Sequence, residues 1–466
     1  MNPSCKIFLN LSILKEGEFV KKVELKCDRL NERGQGVGQY GRETFEIPNF
    51  LPKEAGIFSF DEDKKYQKFK LIKILKTSPM RTEVKCDVFN LCGGCQLLHM
   101  KYDDQIAFKQ RVVEECFKKV KLPFKIDTII PTKKQTAYRN KMQVAYKYRE
   151  GKIVYGFYEE ESHRIIHLNH CLVQSDRQNE IVKYVQQIMQ QLKLSPYNED
   201  KRTGLIRFVL VREAHITGEV MVIVVTNGDI FPSRSEFVKR LKDKFPYITT
   251  IIQNINNRKT SIILGEEERI LFGKGYIEDY LLGIKFKISS KAFFQINPEQ
   301  TEKLYQKVEE YASLTGTEVV VDAYSGVGTI GMVLAKKAKQ VIGVESSKQA
   351  VSNASANAYE NKIRNIKFYY HDATEFLKQM VKDNVGIDVL VMDPPRSGST
   401  TEFLNAILSL KPQKVIYVSC DPTTLVRDLK VLEGAYKIEN KTIVDMFVGT
   451  YHVECVCKLT NRAGNQ

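Results

Sequence analysis

Two residues of this 466-residue chain stand where side-chain type and setting suit covalent chemistry, Cys420 and Glu454. Cys420 ends the apolar run Val415-Ile416-Tyr417-Val418-Ser419 and precedes Asp421-Pro422-Thr423-Thr424, so its thiol leaves a strand into a polar loop facing a cleft. Glu454 lies in Tyr451-His452-Val453-Glu454-Cys455-Val456-Cys457-Lys458-Leu459, which alternates as a strand. His452 and Glu454 share one face; Cys455 and Cys457 share the other with Val453 and Leu459 and read as core. An unpaired carboxylate on so apolar a strand is costly, which gives Glu454 the mark of a functional group. Asp393 adds a second acid. It sits in Val389-Leu390-Val391-Met392-Asp393-Pro394-Pro395-Arg396, where a rigid double proline ends a strand at the edge at which open α/β sheets bind ligands. Enzymes that methylate amino groups commonly carry an aromatic residue after such prolines. Arg396 in that place argues against N-methylation.

The company these residues keep narrows the chemistry. Gly326, Gly328 and Gly331 satisfy G-x-G-x-x-G in Asp322-Ala323-Tyr324-Ser325-Gly326-Val327-Gly328-Thr329-Ile330-Gly331, between an apolar strand and a helix. Glu345 ends the next strand 19 residues after Gly326, where an acid can hold the ribose hydroxyls of an adenosine. The pattern alone fits NAD or S-adenosylmethionine. No long catalytic domain follows it, so the chemistry must come from the sheet's own later loops. Beside a sulfonium methyl donor, a thiol and a carboxylate have a specific use. Carbon 5 of uracil is a poor nucleophile, but a thiolate added at carbon 6 makes the ring an enolate that takes the methyl group. A base then removes the carbon 5 proton and the thiolate leaves. Cys420 suits the first task and Glu454 the second.

A separate group of thiols has ligand spacing. Cys86, Cys92 and Cys95 form C-x5-C-x2-C, and Gly93 and Gly94 allow the tight turn that would aim them at one centre. Zinc and an iron–sulfur cluster both accept such thiolates. Cys171 is the best fourth ligand, with His99 and His170 as alternatives. Between the third and fourth cysteines, Tyr138-Arg139-Asn140-Lys141-Met142-Gln143 through Tyr155-Gly156-Phe157-Tyr158 interleaves basic and aromatic residues. Exposed, it would stack bases and neutralise phosphates; otherwise it is a strand pair with one solvated face.

The elements that must position these groups fall into three regions. From about Val20 to Thr77, short alternating runs broken by Gly34, Gly36, Gly38, Gly41, Pro48 and Pro52 predict a small β-barrel. Residues 78–283 mix β-rich segments such as Val220 to Thr226 with an amphipathic helix in which Ile106, Val112, Val113, Cys116 and Val120 share a face. Apolar strands then alternate with helices at Val319–Ala323, Val341–Glu345, Val389–Asp393 and Val415–Cys420, which predicts a mostly parallel sheet covered on both faces. The expected fold is therefore multidomain α/β. Apolar residues make up 43% of the chain, enough for folded domains, and the net charge of +15 points to a polyanionic partner. With no apolar leader in Met1 to Lys15 and no membrane-length apolar stretch, the expected compartment is the cytoplasm. In that reducing setting the ten cysteines are ligands, nucleophiles or core rather than disulfides. Cys5 and Cys27 stay unassigned.

Taken together, these motifs closely resemble the RNA uracil-5-methyltransferase family, over nearly the whole chain. The likeness is greatest to the bacterial branch that carries an N-terminal TRAM domain and a [4Fe–4S] cluster and acts on 23S ribosomal RNA. It also rests on Gly204-Leu205-Ile206-Arg207, Gln253-Asn254-Ile255-Asn256 and Phe293-Phe294-Gln295-Ile296-Asn297. The resemblance implies an OB-like TRAM barrel in residues 1–78, a cluster-bearing α+β domain in 79–283 and a Rossmann-like catalytic domain in 284–466. It further implies S-adenosylmethionine bound by Gln295, Tyr324, Gly326, Gly328, Glu345 and Asp393, with Cys420 as nucleophile and Glu454 as base. Cys86, Cys92, Cys95 and Cys171 would hold the cluster, and RNA, ribosomal above all, would be the partner, with no membrane and no obligate protein partner. Two positions depart from the family's habit: Asp421 stands where it commonly has Asn, and Ser325 where it commonly has Cys. Rival expectations are the same chemistry on transfer RNA, cytosine-5 methylation, an inactive RNA-binding relative and, more distantly, an NAD-dependent oxidoreductase.

Overall fold

A computed structural model describes residues 12–14, 18–60, 69–159, 162 and 164–465. Cys5 lies outside the described residues. They divide into two compact units, Met1–Lys109 with Gly449–Tyr451, and Gln110–Val448 with His452–Gln466.

In the first unit the alternating runs form two small antiparallel sheets. One holds Ser12–Leu14, Glu18–Lys26, Ala55–Phe60 and Lys70–Lys76; the other holds Arg29–Leu30, Gly36–Tyr40 and Glu43–Ile47. Leu25, Cys27, Phe45, Ile47, Phe50 and Phe58 make its core, so Cys27 is a packing residue whose thiol burial pushes up to about 12. Buried Glu54 accepts from Arg81 Nη2 (2.7 Å) and from the Leu51 N–H (2.8 Å), and this pairing holds its carboxyl below the usual range against the cost of burial.

The second unit contains two large sheets. The first runs in the order Ile366–Tyr370, Gln340–Glu345, Val319–Ala323, Val389–Met392, Lys414–Ser419, Glu454–Asn461, Tyr436–Val444, Thr128–Ile130. Its first five strands are parallel, and Glu454–Asn461 runs antiparallel to Lys414–Ser419. Neighbouring residues of one strand enter different cores: Val320 packs on one face and Val321 on the other, as do Val391 and Leu390. Burial on both faces is why these strands read as continuous apolar runs. Cys455 and Cys457 join Val453 and Leu459 in one core and Val456 enters the other, as the alternation predicts. Cys116, on the Tyr102–Lys119 helix, is partly buried against the same core as Cys455.

The second sheet is mixed, ordered Ile165–His167, Lys152–Tyr158, Lys141–Arg149, Ile206–Glu213, Val220–Thr226, Ile248–Ile255, Glu267–Phe272. The Asp176–Gln191 helix, opened by a capping box of Ser175 and Gln178, buries Ile181, Val185 and Ile188. Ala145, Phe208, Leu210 and Ile223 of this sheet share a core with Val320, Ile330 and Val391 of the parallel sheet. Tyr138, Tyr146 and Tyr155 are buried, and their hydroxyls donate to the carbonyls of Val448, Val182 and Asn169. Three of the aromatic residues read from the sequence as base-stacking candidates are therefore core residues. Both faces of the strand pair contribute to cores, Tyr146 on one and Ala145 on the other, and Tyr148 is exposed near the end of its strand.

Candidate active site

Register assembles the site. Ala323 pairs with both Val344 and Met392, Met392 pairs with Tyr417, and Ser419 pairs with Cys455. One residue further on stand Tyr324, Glu345 and Asp393, and Cys420 follows three residues after Tyr417, so all four lie at the carboxyl ends of their strands along one edge. Glu454 begins the antiparallel strand at that edge. This is where ligands of open α/β sheets bind.

Charge distinguishes the site from an ordinary strand edge. Glu454 is only 2% exposed. Burial and the negative charge of Asp393 push its carboxyl well above the usual range, and Arg396 draws it back. Burial raises Asp393 to about 7. A negative charge on Asp393 disfavours ionisation of Glu454. The Cys420 thiol is pushed up to about 11 by burial, then by Glu454 and Asp393, while Arg396 favours its thiolate. Electrostatics thus ties Cys420, Asp393 and Glu454 into one group, with Arg396 as its cation. Tyr305, also buried, feels Asp393 and Glu454 from the Pro298–Ala312 helix. Asp421 is not part of this group. It caps the Pro422–Leu432 helix, accepting from the Thr423 (2.8 Å) and Thr424 (3.3 Å) N–H groups.

The glycine loop is built to receive a ligand. The Gly326 N–H (3.0 Å) and Ser347 N–H (2.7 Å) fix the Glu345 carboxylate. Gly326, at φ 56°, faces open space where a Cβ would stand, while a Cβ on Gly328 would lie 2.5 Å from the Phe368 ring. Tyr324 also holds positive φ, 64°, a strained setting for a bulky residue of the kind stored at binding sites. Its ring packs on Phe403 (5.3 Å between centroids). Asp322 was not singled out by the sequence. It is buried, accepts from the Gly331 N–H (2.8 Å), and burial raises it to about 8. Gln295 lies on a segment outside the parallel sheet; its carbonyl accepts from Asn140 Nδ2 (2.9 Å), and nearby Phe293 is 68% exposed.

The four cysteines expected as ligands come from both units. Cys86, Cys92 and Cys95 lie on a turn-rich loop of the first unit, where the Cys92 N–H donates to the Val88 carbonyl (2.8 Å). Cys171 belongs to the second unit, its N–H bound to Asn179 Oδ1 (2.8 Å). All four are partly exposed. Among the described residues, no three of His, Cys, Asp and Glu are grouped to hold a metal ion. His99 is fully buried beside Phe89, with no partner for either ring nitrogen. Burial and Arg81 hold its pKa down at about 3.

A family model for tRNA (uracil-5-)-methyltransferases matches residues 101–462. The chain belongs to this family. Among relatives of the methyltransferase, an uncharacterized RNA methyltransferase of Halalkalibacterium halodurans is 40% identical over 442 residues, 94% of this chain and 96% of that one. A protein of the same description from Listeria innocua is 40% identical over 457 residues, 97% of this chain and all of that one. The crystal structure of Pyrococcus abyssi tRNA (uracil-54, C5)-methyltransferase with S-adenosyl-L-homocysteine superposes with a TM-score of 0.77 at 29% identity, covering 94% of this chain and 99% of the other. Family membership makes the methyltransferase an RNA-modifying enzyme with a Rossmann-like catalytic sheet, and decides against the nicotinamide reading of its glycine loop. Among the described residues, no helix is long and apolar enough to cross a membrane.

Proposed function

We propose that the protein methylates carbon 5 of uridine in 23S ribosomal RNA, in the cytoplasm, through a covalent Cys420 adduct. The observation that carries this is the electrostatic union of Cys420, Asp393 and Glu454 at one sheet edge. Gln295, Tyr324, Gly326, Gly328, Glu345 and Asp393 hold S-adenosylmethionine in this reading, supported by the fixed Glu345 carboxylate and the open face of Gly326. The bound cofactor supplies an electrophilic methyl group for carbon 5.

Cys420 Sγ adds to carbon 6 of a uracil flipped out of its RNA stack, which turns the ring into an enolate nucleophilic at carbon 5. Arg396 favours the thiolate form needed for this attack, and Asp393 orients the ring. Once carbon 5 is methylated, Glu454 accepts its proton, the carbon 6–sulfur bond breaks, and its electron pair returns to Cys420. Glu454 must be ionised to act, which its burial opposes and Arg396 favours. The barrel-like residues 1–78 and the middle residues 79–283 grip RNA, and residues 284–466 perform the chemistry. Cys86, Cys92, Cys95 and Cys171 are retained as [4Fe–4S] ligands on their spacing and exposure alone, and no step runs through them; iron and acid-labile sulfide analysis tests this.

Transfer RNA is the second reading, favoured by the Pyrococcus abyssi neighbour, a tRNA (uracil-54, C5)-methyltransferase. Nucleoside mapping of ribosomal and transfer RNA from a strain lacking the protein separates the two. Loss of 5-methyluridine from 23S RNA alone supports the proposal; loss from transfer RNA overturns it.

A further inference from the structure

The mixed sheet sets two cations side by side, Lys141 half-buried and Arg212 buried. Lys141 and Arg212 are direct partners across the antiparallel Lys141–Arg149 and Ile206–Glu213 strands, so their side chains leave the same face side by side. Like charges in that position repel. Arg212 is 8% exposed, donates Nη2 to the Ala292 carbonyl (2.7 Å), and leaves its Nε without a partner. Among the described residues, no carboxylate forms an ion pair with Lys141 or Arg212. Burial and then the charges of Arg212 and Arg139 hold the Lys141 ammonium down at about 8. A half-buried and a buried cation paired side by side, neither in an ion pair, are the setting in which an anionic ligand supplies the missing charge.

Its surroundings say which anion. Gln143, next to Lys141 on the same face, lines a cavity of about 690 Å³ together with Tyr158, Phe208, Arg202 and Lys259 and the acids Glu199 and Asp200, a volume and a mixed polar lining that admit a nucleotide. Arg212 and Asn140 tie this face to the Ala292–Gln295 segment, which carries a proposed cofactor-side residue. Glu345, the proposed ribose ligand, belongs instead to the parallel sheet. We infer that Lys141, Arg212 and Arg139 bind one phosphodiester of the RNA backbone beside the target nucleotide. This rests on the proposed placement of the target uridine at Cys420. The free enzyme carries the repulsion as a cost to its stability, and the RNA phosphate relieves it on binding.

The test compares wild type, Lys141→Met, Lys141→Arg and Arg212→Met on total RNA from a strain lacking the protein, so it does not depend on which RNA class is modified. The readouts are KM for RNA against salt, Kd for S-adenosylmethionine, and Tm without RNA. For Lys141→Met the expected KM rise is about tenfold, larger than any fall in kcat, with a salt slope flatter by about 1. Cofactor affinity is unchanged, and Tm rises because a like-charge pair is gone; a residue with a purely structural role would lower it. Lys141→Arg keeps the wild-type slope, and Arg212→Met flattens it. Unchanged KM and slope in both methionine variants overturn the phosphate site, and so does a loss confined to cofactor affinity, which would assign the cations to the cofactor's carboxylate. Failure of the underlying reading shows separately, as methylation by Cys420→Ala.

Discussion

The two sheets of the second unit carry buried charge of opposite sign. At the edge of the parallel sheet the excess is acidic: Asp322, Asp393 and Glu454 are all pushed toward their protonated forms, with Arg396 the cation that acts on Glu454. In the mixed sheet the excess is basic, and Lys141 and Arg212 are both pushed toward losing protons. Glu54 in the first unit shows the ordinary solution, a buried carboxylate neutralised by Arg81. The contrast separates charge that holds a fold together from charge kept ready for a ligand or a reaction. Acids in excess suit proton transfer to and from a pyrimidine ring, and cations in excess suit a polyanion.

Four substitutions and a pH series test this division on its acidic side. Cys420→Ala removes the nucleophile, and the expected result is complete loss of 5-methyluridine formation by mass spectrometry; a wild-type rate would end the covalent account. Glu454→Gln keeps the shape but cannot accept the proton, so turnover falls by about 10²–10⁴-fold while denaturant-stable enzyme–RNA complexes accumulate on gels. A fall in rate without such complexes would move the base elsewhere. Because the thiol lies near 11 and Glu454 is also raised, both active forms gain with pH, so kcat/KM climbs from about pH 6 to about pH 9. Arg396→Gln shifts that rise to higher pH, and an unshifted profile would deny Arg396 its part.

The smallest effect concerns Asp322. Its folded-state pKa, about 8, lies above that of an unfolded aspartate, so the folded state holds the extra proton between the two values. Its contribution to stability is therefore full below about pH 4 and lost as pH rises toward about 8. Asp322→Asn escapes that loss and keeps an acceptor for the Gly331 N–H. Its Tm advantage over wild type should grow by about 2 °C or more between about pH 5 and about pH 8, followed by calorimetry. An advantage independent of pH would show that Asp322 is not held protonated.

Much of the proposed catalytic edge was legible because its strands are buried on both faces and each ends in a polar loop, as at Met392-Asp393 and Ser419-Cys420. Glu454 was legible through period-two alternation. What the sequence hid depends on register between distant segments. Thr128–Ile130 joins the parallel sheet only because Thr442–Val444 offers it an edge, and three residues carry no pattern of their own. The Lys141–Arg212 pair is invisible until two strands some 70 residues apart are aligned. Tyr146 and Tyr155 look like solvent-facing aromatics beside lysines, yet helix Asp176–Gln191 covers that part of the sheet and Tyr146 bonds to it. The charge at Asp421, which the sequence sets beside the thiol, is turned to a helix N-terminus by local geometry.

The central claim is that Cys420 bonds covalently to the target base. RNA substituted with 5-fluorouridine keeps fluorine where the base must remove a proton, so it should trap the adduct in the presence of S-adenosylmethionine. The account predicts a denaturant-stable enzyme–RNA complex whose cross-linked peptide carries Cys420, absent from Cys420→Ala. A complex formed through another residue, or full methylation without any complex, would contradict it.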